Sequence, residues 1–184
     1  MIRSAAALLA LGACSSSASP PPGRSPTAAA DDAALATGDH AMIDQLQQLV
    51  RFLSQDPLSF ADVAARIGPV VSDPGIPQQA ELKPSLPGVR AAHLGRYPDT
   101  GLPYLLVLDL AEGTRPTAAT LRATFGDYKR ARTDRGQPAQ LLFYPPAEGK
   151  TWHVALIADL ASVPPSLDDA QVTRVSLRRD PASP

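Results

Sequence analysis

Two long apolar runs constrain the fold of this chain more than any other feature of its sequence. Tyr104–Leu110 is seven residues long, is apolar on both faces until Asp109, and contains neither Gly nor Pro. Trp152–Leu160 has the same character and ends in the same Asp-Leu pair. Bounded runs of this length predict fully buried strands in the middle of a sheet. Because such a sheet needs helices packed against it, the sequence predicts an α+β domain.

Three segments predict the helices. The first follows Asp39, a residue suited to cap a helix, and its apolar side chains recur at steps of three and four residues. These side chains are Ile43, Leu46, Leu49, Val50 and Leu53. The second, over residues 59–68, begins with Ser59 and Asp62 as a capping box and ends at a glycine. The third, over residues 117–126, repeats the second with a hydroxyl residue first, a glycine last and alanines at matching positions.

Shorter apolar or alternating runs predict the remaining strands. These are Val89–Tyr97, Gln140–Tyr144 and a final, edge-like strand Val172–Arg179, whose charges discourage further pairing. Residues 69–88 contain five prolines, which predicts an irregular connection with at most a short edge strand near residues 69–71. We therefore expect a curved antiparallel sheet of five or six strands packed by three helices on one side. The order helix, loop, strand, turn, strand occurs twice, so two helix–hairpin repeats are one interpretation and chance similarity of amphipathic helices is the other.

The N-terminus has the features of an export signal. Arg3 supplies positive charge, and Ala5–Ala10 is an apolar core too short to span a bilayer. The following Leu11-Gly12-Ala13-Cys14 resembles the lipobox of bacterial lipoproteins. The resemblance implies that residues 1–13 are a signal peptide, that cleavage precedes Cys14, and that Cys14 is acylated and anchors the chain by lipid. An ordinary secretory peptide with an incidental cysteine is the alternative.

The same resemblance implies a location. Ser15, rather than Asp, directly after the acylated cysteine implies the outer membrane, with the domain facing the periplasm. Residues 14–38 contain almost no bulky apolar side chain, which predicts a disordered Ser/Pro/Ala tether ahead of a single domain over residues 39–184. Cys14 is the only cysteine, so its acylation would leave no thiol for a disulfide, a metal ion or nucleophilic catalysis.

The expected element order, over residues 40–180, is similar to that of two groups of exported proteins. One is the small outer-membrane-assembly lipoproteins, and the other is the secreted beta-lactamase inhibitory proteins, which are built from two such repeats. The resemblance rests on the two helices that end in Ile-Gly and Phe-Gly, at residues 67–68 and 125–126. It implies a role in binding another protein.

Motifs that carry chemistry are largely missing from the sequence. There is no Gly-rich phosphate loop, no Gly-x-Ser-x-Gly elbow and no His-Glu-x-x-His, so we expect no cofactor, no metal and no catalytic site. His40, His93 and His153 would form a metal site only if they converged with a carboxylate, and the preferred interpretation gives them no special role. Asp109 and Asp159 end the two long strands, where each would accept backbone hydrogen bonds in a turn; an acid–base pair is the alternative.

Charge is unevenly distributed along the chain. The net charge of −1 argues against a nucleic-acid partner. Residues 122–135 hold five basic and two acidic side chains, whereas residues 31–81 hold eight acidic and two basic. A solvated loop is one interpretation of the basic segment, and a surface for an acidic partner is the other. The candidate partner-binding residues are Lys129, Arg130, Arg132 and Arg135, with Asp73 in the proline-rich connection.

Three hypotheses for function follow. The first is an exported, lipid-anchored, non-enzymatic protein-binding domain, namely an inhibitor or immunity protein that neutralises a secreted toxin or hydrolase. The second is an envelope-assembly or structural lipoprotein. The third is a small hydrolase that uses His93 or His153 with Asp109 or Asp159, which requires these side chains to lie within hydrogen-bond reach in one cleft.

Overall fold

A computed structural model describes the backbone of residues 27–131, 137–146 and 151–181, with side chains from residue 40 onward in these ranges. The helices are α1 (Thr27–Leu53), α2 (Phe60–Ile67) and α3 (Ala118–Phe125). The strands are β1 (Val70–Ser72), β2 (Ala80–Leu82), β3 (Val89–Arg96), β4 (Pro103–Leu110), β5 (Tyr128–Arg130), β6 (Gln140–Phe143), β7 (Trp152–Leu160) and β8 (Val172–Pro181).

All described strands belong to one antiparallel sheet in the order β1-β2-β3-β4-β8-β7-β6-β5. The predicted α+β class is confirmed, and the described part of the chain has the three expected helices. The expected number of five or six strands was low, because the sheet has eight. The two strands that were not predicted, β2 and β5, are three residues long. They lie in segments rich in proline or charge, where a strand has too few apolar residues to show a pattern.

The prediction that the last strand lies at an edge was wrong. β8 lies in the centre of the sheet, between β4 and β7; it pairs with β7 along most of its length and with β4 from Arg174 to Arg178. Val172, Val175 and Leu177 are buried, while the alternating Arg174 and Arg178 point to the opposite face. The charges that suggested an edge therefore mark one face of a central strand.

The same element order occurs twice in the described part of the chain. α2 precedes the meander β1–β4, and α3 precedes the meander β5–β8, so each unit contains four strands rather than the expected hairpin. Ser59 and Thr117 cap the two helices by accepting hydrogen bonds from the backbone N–H three residues later, as predicted. The two units meet where β4 pairs with β8.

Helix α1 differs from the expectation at its start. It begins at Thr27 rather than at Asp39, so it includes residues 27–38 of the segment expected to be a tether. Residues 28–36 contain six alanines, and alanine has the highest intrinsic helix propensity. Residues 1–26, with the predicted signal peptide and Cys14, lie outside the described residues. Within the described residues, no helix is both long and apolar enough to cross a membrane.

The core lies between the helices and one face of the sheet. The predicted apolar stripe of α1 lies there, buried except for the half-buried Val50, together with Ile67 of α2 and Leu121 of α3. Burial of each such side chain contributes about 2 kcal/mol. The sheet residues in this core are Leu82, Leu94, Leu106, Leu108, Leu141, Phe143, Leu156, Val175 and Leu177.

One buried cation ties α1 to the sheet. Arg179 of β8 is only 1% exposed, and its Nε and Nη2 donate hydrogen bonds to the carbonyl oxygens of Leu53 and Gln55 at 2.9 and 2.8 Å. Its guanidinium carbon lies 3.7 Å from the centroid of the Trp152 ring. A positive charge at the C-terminus of a helix is favourable because the last carbonyls carry partial negative charge.

Candidate functional site: the open face of the sheet

The face of the sheet opposite the helices, hereafter the open face, carries the charged and histidine side chains of the central strands. Because side chains alternate along a strand, the residues between the buried core positions all point to this face. Its members on the central strands are His93, Leu105, Val107, Asp109, His153, Ala155, Ile157, Asp159, Arg174, Ser176 and Arg178, flanked by Gln140 and Leu142 on β6.

A row of four polar side chains crosses the open face. Asp109, Arg174, Asp159 and Gln140 occupy paired positions on β4, β8, β7 and β6. Arg174 Nε donates a hydrogen bond to Asp109 Oδ1 at 2.5 Å, and Gln140 Nε2 donates one to Asp159 Oδ1 at 2.8 Å. The two aspartates are only 9% and 7% exposed, so these partners hold carboxylates that are largely removed from water.

The pKa shifts in this row have clear causes. Burial raises the pKa of the Asp159 carboxyl above its ordinary value, and the hydrogen bond from Gln140 and the charge of Arg174 oppose that shift. The hydrogen bond to Asp109 raises the pKa of Arg174. The favoured prediction that the two aspartates accept backbone hydrogen bonds in turns was wrong, since the hydrogen bonds that their carboxylates accept come from side chains on neighbouring strands. The alternative acid–base pair is separated by Arg174, whose strand lies between the two carboxylates.

The strand histidines do not converge. His93 pairs across the sheet with Glu81 and Val107, and His153 pairs with Asp180. Strands β4 and β8 lie between β3 and β7, which places these two histidine strands about 14 Å apart at the usual interstrand spacing. Among the described residues, neither histidine hydrogen-bonds Asp109 or Asp159, and no group of three metal-ligating side chains occurs. His40 is exposed on α1.

Aliphatic side chains lie beside the polar row. The adjacent row contains Val107, Ser176, Ile157 and Leu142 on β4, β8, β7 and β6, followed by Lys129 on β5. The Lys129 ammonium group lies 5.8 Å from the ring centroid of Tyr144, which is 55% exposed. Tyr144 also borders a depression of about 280 Å³ that is lined by Pro145, His153, Val154, Ala155, Asp180 and Pro181. The open face thus combines fixed charges with apolar and aromatic surface.

The candidate partner-binding residues predicted from charge do not form one patch. Lys129 and Arg130 are exposed on β5, at one edge of the sheet, whereas Asp73 follows β1 at the other edge. Asp73 accepts hydrogen bonds from Arg96 Nη2 at 2.5 Å and from the Gly75 backbone at 3.1 Å. Arg132 and Arg135 lie outside the described residues.

Sequence reasoning missed the residues that organise this face. Arg174 and Gln140 were not singled out, because β8 was expected at an edge and Gln140 at the start of a short strand. The available signal was the alternation of Val172, Val175 and Leu177 with charged residues, which is typical of a strand with one buried face. Trp152 is half-buried against Arg179, and its ring centroid lies 6.4 Å from that of Tyr97.

Comparisons of this chain with protein-family models, with curated protein sequences and with solved structures find no match.

Proposed function

We propose that this chain is the protein-binding domain of an exported, lipid-anchored protein, and that it neutralises a secreted toxin or hydrolase by docking it on the open face. The observation that supports this proposal most is the contrast between the two faces of the sheet. Helices cover one face, while the other carries a crossing row of fixed polar side chains next to aliphatic side chains.

The polar row is suited to recognition because its side chains are already held in place. Asp109 and Asp159 have their partners on neighbouring strands, so little side-chain freedom is lost when a second surface covers them. Fixed charges discriminate against partners with the wrong charge pattern. The half-buried side chains of Ile157 and Leu142 supply apolar contact area beside them.

The proposed lipid anchor at Cys14 is consistent with an inhibitor of secreted proteins. Acylation at Cys14 would hold the domain at a membrane surface facing the compartment that an incoming hydrolase or toxin must cross. The element order expected from the sequence is similar both to secreted inhibitory proteins and to outer-membrane-assembly lipoproteins, so the choice of an inhibitor rests on the open face.

Site-specific photocrosslinking in the producing cell tests the proposal. We would place p-benzoylphenylalanine at Ser176 or Ile157 on the open face of the full-length chain, and at Ala65, exposed on α2, as the matched control. We expect one secreted protein to be captured from both open-face positions and not from position 65. We also expect the purified full-length chain to suppress that protein's activity at a stoichiometry of one to one.

Two results would contradict the proposal. Capture only from position 65 would place the binding surface on the helices. Capture of envelope-assembly proteins from the open face, with no effect on any secreted activity, would support the envelope-assembly alternative instead.

A further inference from the structure

A depression of about 240 Å³ lies at the end of the open face that holds the polar row. Its lining is mostly charged, and it is formed by both halves of the sheet together with the segments that follow β4 and precede β6. The lining residues are Arg90, Asp109, Arg115, Pro138, Asp159, Thr173 and Arg174.

The charges in this depression are not balanced internally. Arg174 is engaged by Asp109, and Asp159 is held by the neutral amide of Gln140. Within the described residues, Arg90 and Arg115 form no ion pair and no side-chain hydrogen bond. The guanidinium groups of the lining therefore exceed its carboxylates by one, and Arg90 and Arg115 have no partner in the part of the chain that the structure describes.

Arg115 shows this imbalance most clearly. Its side chain is half-buried, and its Nε is shielded from solvent with no hydrogen-bond partner. A shielded N–H without an acceptor costs free energy, and a charged donor costs more than a neutral one. An oxygen acceptor that enters the depression would recover part of that cost.

The chemistry of the lining favours one kind of acceptor. Guanidinium groups bind carboxylates through two parallel N–H···O hydrogen bonds. Asp109 and Asp159 lie in the same depression and oppose a second negative charge inside it. A single carboxylate matches the surplus of one positive charge better than a phosphate dianion does.

We infer that this depression receives the carboxylate of an acidic side chain from the protein partner, with Arg90 and Arg115 as its ligands. The inference rests on the proposed function, because the partner reaches the depression by docking on the open face. It assigns a role to two arginines that the charge pattern of the sequence did not single out, since neither belongs to residues 122–135.

Titration of the full-length chain with a short peptide tests the inference. The probe is an acetylated and amidated tetraglutamate, and the corresponding tetraglutamine is the uncharged control. Binding would be followed by calorimetry and by the NMR signals of the arginine Nε–H groups. We expect tetraglutamate to bind and to shift the Arg115 signal, and tetraglutamine to do neither.

Three variants make the test specific. Arg90→Gln and Arg115→Gln should each weaken tetraglutamate binding about tenfold, the effect of losing one charge-assisted contact. Arg51→Gln removes the same charge from the exposed surface of α1 and should change binding less than about twofold, because the screened interaction at that distance is weak. Arg90 is exposed, so its variant retains the fold even if Arg115→Gln does not.

Several outcomes would overturn the inference. Absence of tetraglutamate binding at millimolar peptide would do so, as would equal weakening by Arg51→Gln, which would indicate a general charge effect. Tighter binding of inorganic phosphate than of tetraglutamate would reject the carboxylate in favour of a phosphate ligand. If open-face crosslinking captures a partner whose affinity is unchanged by Arg90→Gln and Arg115→Gln, the inference fails while the proposed function stands.

Discussion

At the scale of single residues, the polar row shows how a sheet face accommodates ionisable groups that are nearly buried. Each aspartate loses hydration and gains a partner, but the partners differ. Asp109 has a cation, Arg174, whereas Asp159 has the neutral amide of Gln140 and only a more distant interaction with Arg174. Burial is therefore opposed at Asp159 mainly by an uncharged partner, and it raises the pKa of that carboxyl.

The stability of the protein should depend on pH through Asp159. Burial raises its pKa in the folded chain above the ordinary value of 3.8, so the folded state retains this proton to higher pH than the unfolded state. Between the two pKa values the folded state binds more protons, and the free energy of unfolding falls as pH rises through that window. We therefore expect Asp159→Asn to gain stability relative to the wild type as the pH rises above the ordinary value of 3.8.

Urea unfolding of both proteins at several pH values measures this difference. Asp99→Asn, in an exposed turn, removes the same formal charge and serves as the control. A stability difference between Asp159→Asn and the wild type that stays constant with pH would show that Asp159 does not retain its proton in the folded state.

At the scale of elements, α1 depends on a single side chain for its attachment to the end of β8. Arg179 supplies hydrogen bonds to two carbonyls at the C-terminus of the helix, and burial lowers the pKa of its guanidinium. Removing the guanidinium from water costs free energy, and the hydrogen bonds to the backbone carbonyls and the contact with the Trp152 ring offset that cost.

Replacing Arg179 should destabilise the protein more than replacing its neighbour. Arg179→Met leaves the carbonyls of Leu53 and Gln55 without their donor, and we expect a loss of about 2–4 kcal/mol in the free energy of unfolding. Arg178→Met, which removes a half-exposed ion pair with Asp180, should cost less than about 1 kcal/mol. Equal effects in urea unfolding would show that Arg179 does not secure α1.

The glycines that end α2 and α3 differ in how much space surrounds them. Both have positive φ, +151° at Gly68 and +87° at Gly126. A Cβ at position 68 would lie 1.9 Å from the carbonyl oxygen of Lys83, whereas a Cβ at position 126 meets nothing within 4 Å. The two positions share backbone strain but differ in available space.

We expect Gly68→Ala to lower the free energy of unfolding by about 3 kcal/mol or more, because strain and a backbone clash act together. Gly126→Ala should cost about 1–2 kcal/mol, from strain alone, because its positive φ with an extended ψ is a conformation essentially restricted to glycine. The midpoints of thermal unfolding of the two variants provide the measurement. A Gly126→Ala variant as unstable as Gly68→Ala would contradict the assignment of the larger effect to the clash at Lys83.

At the scale of the whole molecule, strands and helices could be located in the sequence wherever a local pattern of hydrophobicity or capping marks them. The runs Tyr104–Leu110 and Trp152–Leu160 and the capped helices after Ser59 and Thr117 were placed correctly, because each has a local signal. The pairing of β8 with β4 was not predictable, since pairing between strands far apart in the chain leaves no local mark. The polar row consequently could not be assembled from the sequence, although Asp109 and Asp159 had been singled out.

The location of the whole molecule is predicted to depend on one residue. We expect Cys14→Ser to move the protein from the membrane fraction to the aqueous fraction of the cell envelope, because the variant has no sulfur to acylate. Ser15→Ala leaves that cysteine in place and should remain with membranes. Immunoblots of fractionated cells distinguish the two, and retention of Cys14→Ser in the membrane would contradict the lipid anchor.

The β4–β8 pairing, where the two units meet, also constrains how the sequence can diverge in evolution. Each unit contributes one strand to this pairing, where Leu106 pairs with Leu177 and Leu108 with Val175. A larger side chain on one strand must be matched by a smaller one on the other, so the two units cannot diverge independently there. The outer strands β1 and β5 are not under this constraint. We therefore expect related proteins to differ most in the length and composition of those two strands.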